Sequence, residues 1–346
     1  MKITLSRLPL TKIIPLRISR EVITGSVNLL VTVEEDGVTG MGEVAPNSVT
    51  GDTTKSAEED FGRWSEALQD TVPYEMQRIE NIVTGAGGEN GARAALDMAL
   101  YDWLGKKAQL PIWRLLGLDR QLTPPTSVTV GIFPVDEIGS VTGDILRRTG
   151  AHILKVKLGI GVDVDREMFA AVQKSAADAG YAPQWRVDAN GGWNLAEARM
   201  MLPWLADRGV EMVEQPLAVG QEEDLTDLYR HRPLPIFADE SVHVAADVPR
   251  LASCVDGVNL KLMKTGGLRE ALRLIAVARV HRLKIMIGCM GESSLAISAG
   301  AQITPLLDYV DLDSHLNLRD DPFTGCSLVE GRVPLSDLPG LGISIR

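Results

Sequence analysis

The chain has 346 residues, 45% of them apolar and 23% charged, with a formal net charge of −11. That length suits one large domain plus a smaller one, and the composition is that of a globular protein with a sizeable core. The acidic balance argues against nucleic acid and anionic membrane surfaces, which need clustered Lys and Arg, and no apolar run approaches the length of a membrane span.

The N-terminus, MKITLSRLPL, reads as a strand and not as a leader. The three cysteines, Cys254, Cys289 and Cys326, have neither a disulfide framework nor metal-type spacing, so a reducing, cytoplasmic setting is expected. Residues 27–45 carry apolar runs on either side of Glu35-Asp36-Gly37, a hairpin signal. Helical spacing follows at about 54–70, 74–84 and 91–107, strongest in GARAALDMALYDWLGKKA. Pro124-Pro125 then punctuates the chain. The expected division is an α+β domain over 1–122, a barrel over 123–315 and a segment over 316–346 that returns to the first domain.

From Thr126 short apolar strands recur at 126–132, 152–158, 184–190, 210–216, 236–241, 257–262, 284–289 and 309–314, and each gap carries a helical pattern. Such alternation means parallel strands with helices outside, and this many units predict a modified TIM barrel, (β/α)7β, in an α/β fold. A doubly wound open sheet is the competing architecture, but no G-x-G-x-x-G or P-loop opens a helix here.

Catalytic groups in a barrel sit where its strands end. These ends carry Lys155 and Lys157, Asp188 and Asn190, Glu214, Asp239 and Glu240, Lys261, and Asp311 and Asp313. Charges in a barrel mouth must pair or bind a metal. Asp188, Glu214 and Asp239, on three successive strands, suit a hard divalent cation, Mg²⁺ before zinc. The five histidines are scattered and form no ligand pair. Lys155 and Lys157 point to one side of their strand, roughly 7 Å apart at their origins, where two ammoniums repel by about 2.4 kcal/mol at an effective dielectric near 20. That repulsion is expected to leave one lysine as a neutral base. Lys261 approaches from the opposite wall, and bases on two walls suit removal of a proton from one face and its return to the other. Lys264 reads as a structural or loop lysine, Glu240 as support behind the site, and Asp163 and Asp165 as helix-start charges. Arg17 and Arg20 lie in a loop that would cover the mouth, as readers of a substrate carboxylate or as a solvated pair.

LKVKL, VDAN, VEQPL, ADES and VNLKLMKTGG, in this order, resemble the muconate-lactonizing branch of the enolase superfamily, and MGEVAP with ALDMALYDWLGKKAQLPIWRLLG resembles its capping domain. The resemblance implies Asp188, Glu214 and Asp239 as Mg²⁺ ligands, Lys157 and Lys261 as bases on opposite faces, and Lys155 as the group that stabilises the enolate and depresses its neighbour. DLDS and MIGCMGESS are similar to dipeptide epimerases, which implies that Asp311 and Asp313 hold a substrate α-ammonium and that Thr129 contacts substrate. Ser314 stands where those enzymes have Gly. The activity implied is 1,1-proton transfer on a dipeptide, with L-Ala-D/L-Glu as the first candidate. The same lysines also serve o-succinylbenzoate synthases, N-acylamino acid racemases and muconate-type cycloisomerases, whose substrates give Asp311 and Asp313 no ammonium to hold. The oligomeric state is left open, a homo-oligomer included.

Overall fold

The computed structural model describes residues 1–346. The chain starts with a three-stranded antiparallel sheet, β1 (Lys2–Arg17), β2 (Val22–Glu35) and β3 (Val38–Val44), with the β2–β3 turn at Asp36-Gly37 as the hairpin signal requires. Helices α1 (Thr54–Leu68), α2 (Met76–Gly85), α3 (Asn90–Ala108) and α4 (Ile112–Leu115) follow. Leu29, Val31 and Val33 on alternate positions of β2 pack with Trp64, Ile79 and Leu96 in a core of their own. Leu8, Leu10, Ala94 and Met98 instead join the large core built around the second sheet, so apolar packing seats the first unit on the second.

The second unit alternates strands and helices: β4 (Val128–Val130), α5 (Val135–Thr149), β5 (Ile153–Lys157), α6 (Val162–Asp178), β6 (Gln184–Asp188), α7 (Leu195–Ala206), β7 (Val210–Glu214), α8 (Glu222–Arg230), β8 (Ile236–Ala238), α9 (Val248–Leu251), β9 (Gly257–Leu260), α10 (Leu262–Thr265), α11 (Leu268–Val280), β10 (Lys284–Ile287), α12 (Ser294–Ala301) and β11 (Tyr309–Val310). The eight strands β4 to β11 are parallel and pair in sequence order. Thr126, just before β4, bridges Val310 in β11, and the Ser127 N–H donates to the Val310 carbonyl at 3.0 Å, so the sheet curls until its first and last strands meet. This is the (β/α)7β barrel that the alternation predicts. One gap is weaker than expected. Between β8 and β9 only a 3-10 turn and the four-residue α9 form, with Pro249 in its first turn.

After β11 the chain runs back along the first unit. Leu318 bridges Lys12, Gly340 bridges Pro111, and the Leu341 N–H donates to the buried Asp102 carboxylate of α3 at 2.9 Å. The last strands, β12 (Phe323–Thr324) and β13 (Ser344–Ile345), pair with each other. No helix is long and apolar enough to cross a membrane.

Candidate active site

Parallel pairing sets Lys157 opposite Asp188 and Asp188 opposite Glu214, so the last residues of β5, β6 and β7 form one layer at the barrel mouth. Asp239, one residue beyond β8, and Lys261, one beyond β9, continue it. Carboxylate oxygens of Asp188, Glu214 and Asp239 all lie within 4.8 Å of one another, and none of the three side chains reaches solvent. Beneath them, the Asn259 Nδ2 donates to the Glu214 Oε1 at 2.8 Å. Gly288 on the next strand leaves the room this needs. A Cβ there would stand 2.8 Å from the Asn259 Nδ2 and 3.1 Å from the Lys261 Cε.

The residues that follow the carboxylates are held in unusual backbone. Asn190 (φ 46°) and Gln215 (φ 36°) are non-glycine residues in the left-handed region, a strain of order 1–3 kcal/mol that persists where side-chain bonds fix it. The Asn190 N–H donates to the Asp188 Oδ1 at 2.8 Å. The Gln215 Oε1 accepts from the Asp239 N–H at 2.9 Å while its Nε2 donates to the Ser241 hydroxyl, which ties the Glu214 and Asp239 loops together.

The lysines interleave with these acids. Lys157 Nζ donates to the Asp188 Oδ2 at 2.6 Å, and Lys261 Nζ to the Asp239 Oδ2 at 2.7 Å on the far side. Lys155 Nζ lies 2.8 Å from Asp311, 2.7 Å from Glu214 and 3.1 Å from Asp188. Burial alone would lower Lys155 and Lys261. The facing carboxylates, Asp311, Glu214 and Asp188 for the first and Asp239 and Glu214 for the second, outweigh it and raise both above the ordinary lysine range. Repulsion along the strand therefore does not make Lys155 the neutral partner of the pair, because three carboxylates hold its proton. Burial also acts on the acids. It is outweighed by Lys157 and Lys155 at Asp188 and by Lys261 and Lys264 at Asp239, both of which are held below the usual carboxylate range. At Glu214 burial wins, with repulsion from Asp188 added, and its carboxyl is pushed up to about 8.

The acid cluster fits a divalent cation. Glu214 Oε2 is buried with no hydrogen-bond donor, although Lys155 lies close to it out of hydrogen-bonding alignment. A buried oxygen of that kind, one of three carboxylates in reach of a single point, is a hard-cation donor set.

The cavity above the layer is about 290 Å³ and reaches from Lys155, Lys157 and Lys261 to Thr129, Asp311 and Asp313. Asp311 is committed within the site. It accepts from the Ser127 hydroxyl at 2.5 Å and from Lys155 at 2.8 Å. Asp313 takes the Thr129 N–H at 2.6 Å on Oδ2, and burial together with Asp311 raises its pKa. Ser314 accepts a hydrogen bond from the Glu292 N–H at 3.0 Å, tying the loops after β10 and β11.

Arg17 and Arg20 part company. Arg17 is exposed. Arg20 donates to the Glu240 Oε1 at 2.9 Å, and the Asn190 Nδ2 donates to the same oxygen at 3.0 Å, so a loop of the first unit is latched to the residue that holds Asp188. Glu240 thus supports the acid layer through Asn190. Lys264 is fully buried, its Nζ on the Asp239 Oδ1 and carbonyl at 2.5 Å and on the Asn259 carbonyl at 3.0 Å. It lies in α10 and not in a loop, and its bonds hold Asp239. Asp163 and Asp165 do start α6, and Asp165 is buried under the Gly159 N–H and the Trp193 Nε1.

Asn259, Gln215 and Ser127 are bonded into the candidate site and are residues that sequence reasoning misses. Asn259 does carry a usable signal: it stands two residues before Lys261, on the inward side of an otherwise apolar strand. Gln215 and Ser127 carry none, since one Gln after a carboxylate and one Ser before a strand are ordinary.

Residues 2–117 match the N-terminal domain of mandelate racemase and muconate lactonizing enzyme, and residues 142–346 match the enolase C-terminal domain-like family. A hydrophobic dipeptide epimerase of Roseobacter litoralis is 47% identical over 99% of this chain and 98% of its own. An L-Ala-D/L-Glu epimerase of Bacteroides thetaiotaomicron is 36% identical over 92% of this chain and 82% of its own. A dipeptide epimerase of Enterococcus faecalis, crystallised with Mg and L-Leu-L-Tyr, superposes with a TM-score of 0.92 at 30% identity, covering 99% of each chain. With both of its parts matched in order, the chain belongs to the mandelate racemase and muconate lactonizing enzyme family of the enolase superfamily.

Proposed function

We propose that this protein is a Mg²⁺-dependent dipeptide epimerase, an isomerase that inverts the α-carbon next to the free carboxylate. The observation that carries this reading is the placement of Lys157 and Lys261, each beside a different carboxylate on opposite flanks of the acid layer. Asp188, Glu214 and Asp239 would hold the ion, which when bound supplies the positive charge that makes the α-proton acidic. Lys157 and Lys261 then serve one face each, one removing a proton and the other returning one. Lys155, held between Asp311 and Glu214, presents a fixed positive charge to the reacting carboxylate. Asp313 with Asp311 accepts the substrate ammonium, next to Thr129. The relatives named for dipeptide epimerisation support this choice over o-succinylbenzoate synthesis, N-acylamino acid racemisation and cycloisomerisation.

Ile18, Ile23, Phe133 and Met290 line the cavity, and Arg20 is already paired with Glu240. Arg20 is the one cation of that loop that lines the cavity and it is not free, so an apolar reacting residue suits this side of the site better than glutamate. We assign residues 1–122 as the cap, 123–315 as the catalytic barrel and 316–346 as the segment that ties the two. The test is a library of L,L dipeptides in D₂O with Mg²⁺, scored for deuterium at each α-carbon. Uptake at the C-terminal residue, greatest for apolar ones, is the expected result. Uptake by no dipeptide contradicts the reading.

A further inference from the structure

Along β1 the inward side chains alternate Leu8, Leu10, Lys12, and all three are buried. The first two pack in the core, as the stripe demands, and the third is an ammonium at a position where the pattern calls for an apolar residue. Pairing of β1 with β2 breaks between Thr11 and Leu16. The freed stretch pairs with the tail instead: Lys12 bridges Leu318, and the Ile14 N–H donates to the Asn317 Oδ1 at 2.9 Å. Such a break re-aims a side chain. Here it turns Lys12 into the cavity, at the end lined by Asp313 and Cys289 and away from the acid layer.

Lys12 is 7% exposed, yet its Nζ makes no hydrogen bond and no ion pair. The charge that faces it is Asp313, out of contact, while burial and the neighbouring acids keep the Cys289 thiol beside it protonated and neutral. Cys289 is itself engaged with the Asp311 carbonyl at 3.4 Å. Every other buried lysine in this protein, Lys155, Lys157, Lys261 and Lys264, touches a carboxylate. The stem of Lys12 is buried and its ammonium opens only on the cavity, and a poorly solvated ammonium with no protein carboxylate against it gains most from a ligand that supplies the counter-charge.

We propose that Lys12 is a specificity-determining residue that binds a side-chain carboxylate on the first residue of the dipeptide, so that the preferred substrates carry Asp or Glu first and an apolar residue at the reacting position. This rests on the epimerase reading. The cavity end then matches both charges of an acidic first residue, with its α-ammonium on Asp313 and its carboxylate on Lys12. A carboxylate in the same place on an N-succinyl amino acid lacks the ammonium and leaves Asp313 unpaired, which makes it the poorer ligand.

The experiment compares kcat/KM for L-Glu-L-Leu, the isosteric L-Gln-L-Leu and N-succinyl-L-leucine, in the wild-type protein and in Lys12→Met. One charged hydrogen bond corresponds to roughly 10- to 100-fold, so the Glu-over-Gln ratio should lie in that range and fall to about 1 in Lys12→Met, whatever the variant does to absolute rates. Lys12→Met should also unfold at a higher temperature without substrate, because an uncompensated charge leaves the interior. Turnover of the neutral dipeptide with no preference for Glu overturns this inference and leaves the epimerase reading standing. Preference for the N-succinyl compound over both dipeptides, or a lower unfolding temperature for Lys12→Met, also overturns it. A protein that epimerises no dipeptide overturns both.

Discussion

Lys157 and Asp188 face each other in register at the ends of β5 and β6, with the lysine Nζ 2.6 Å from the Asp188 Oδ2. Lys261 and Asp239 repeat the relationship across the mouth at 2.7 Å. Each lysine therefore shares a carboxylate with the proposed cation site, so Asp188 and Asp239 tie the two ammonium positions to that site.

Glu214 stands in the middle of this arrangement with one oxygen unbonded. Its replacement by Gln removes the ionisable carboxylate oxygen a cation would take but keeps the Asn259 contact available. Titration calorimetry should show Mg²⁺ binding to Glu214→Gln weakened by at least about tenfold, in the range seen when part of a metal site is lost. Unchanged Mg²⁺ affinity excludes Glu214 as a ligand.

Lys264 is enclosed on Asp239 and two carbonyls. Truncation to Ala leaves a buried carboxylate short of one partner, a loss of roughly 3–5 kcal/mol for a broken buried pair. Denaturant unfolding of Lys264→Ala should show that loss, together with weaker Mg²⁺ binding. Wild-type stability in this variant would mean that Asp239 is satisfied without it.

Asp97 of α3 accepts the Leu268 N–H at 2.6 Å and the Arg269 N–H at 3.3 Å, at the start of α11. Burial pushes its carboxyl up to about 7. A carboxyl raised above its unfolded value keeps its proton longer in the folded state, so its contribution declines as pH climbs from about 4 to 7 and is flat beyond. Asn at this position still accepts the two N–H groups but does not titrate. Thermal unfolding from pH 5 to 8 should therefore fall less steeply for Asp97→Asn than for the wild type. Parallel curves contradict this assignment.

What a sequence reveals of such a site depends on what each residue answers to. The strands are readable because burial forces their period and length. The acid layer is readable because a solvated charge has little reason to stand at the end of an apolar strand, as Asp188, Glu214 and Asp239 all do. The charge state of Lys155 is not readable, because the strand displays only its neighbour Lys157 and hides Asp311, which is 156 residues away. The latch from Arg20 through Glu240 to Asn190 is hidden for the same reason, since it joins loops from three elements. Between β8 and β9, apolar spacing suggests more helix than forms, where Pro249 and the β-branched Val244 and Val248 compete with it.

If Lys157 and Lys261 each serve one face of the same α-carbon, the two can be separated by NMR exchange of the α-proton in D₂O with Mg²⁺, on both stereoisomers of an active dipeptide, for Lys157→Ala and Lys261→Ala. Net epimerisation needs both bases, so both variants should lose it. Exchange needs only the base on the matching face, so each variant should keep exchange for one stereoisomer, and the two should keep opposite ones. Exchange of the same stereoisomer by both variants, or epimerisation surviving in either, contradicts the two-base arrangement.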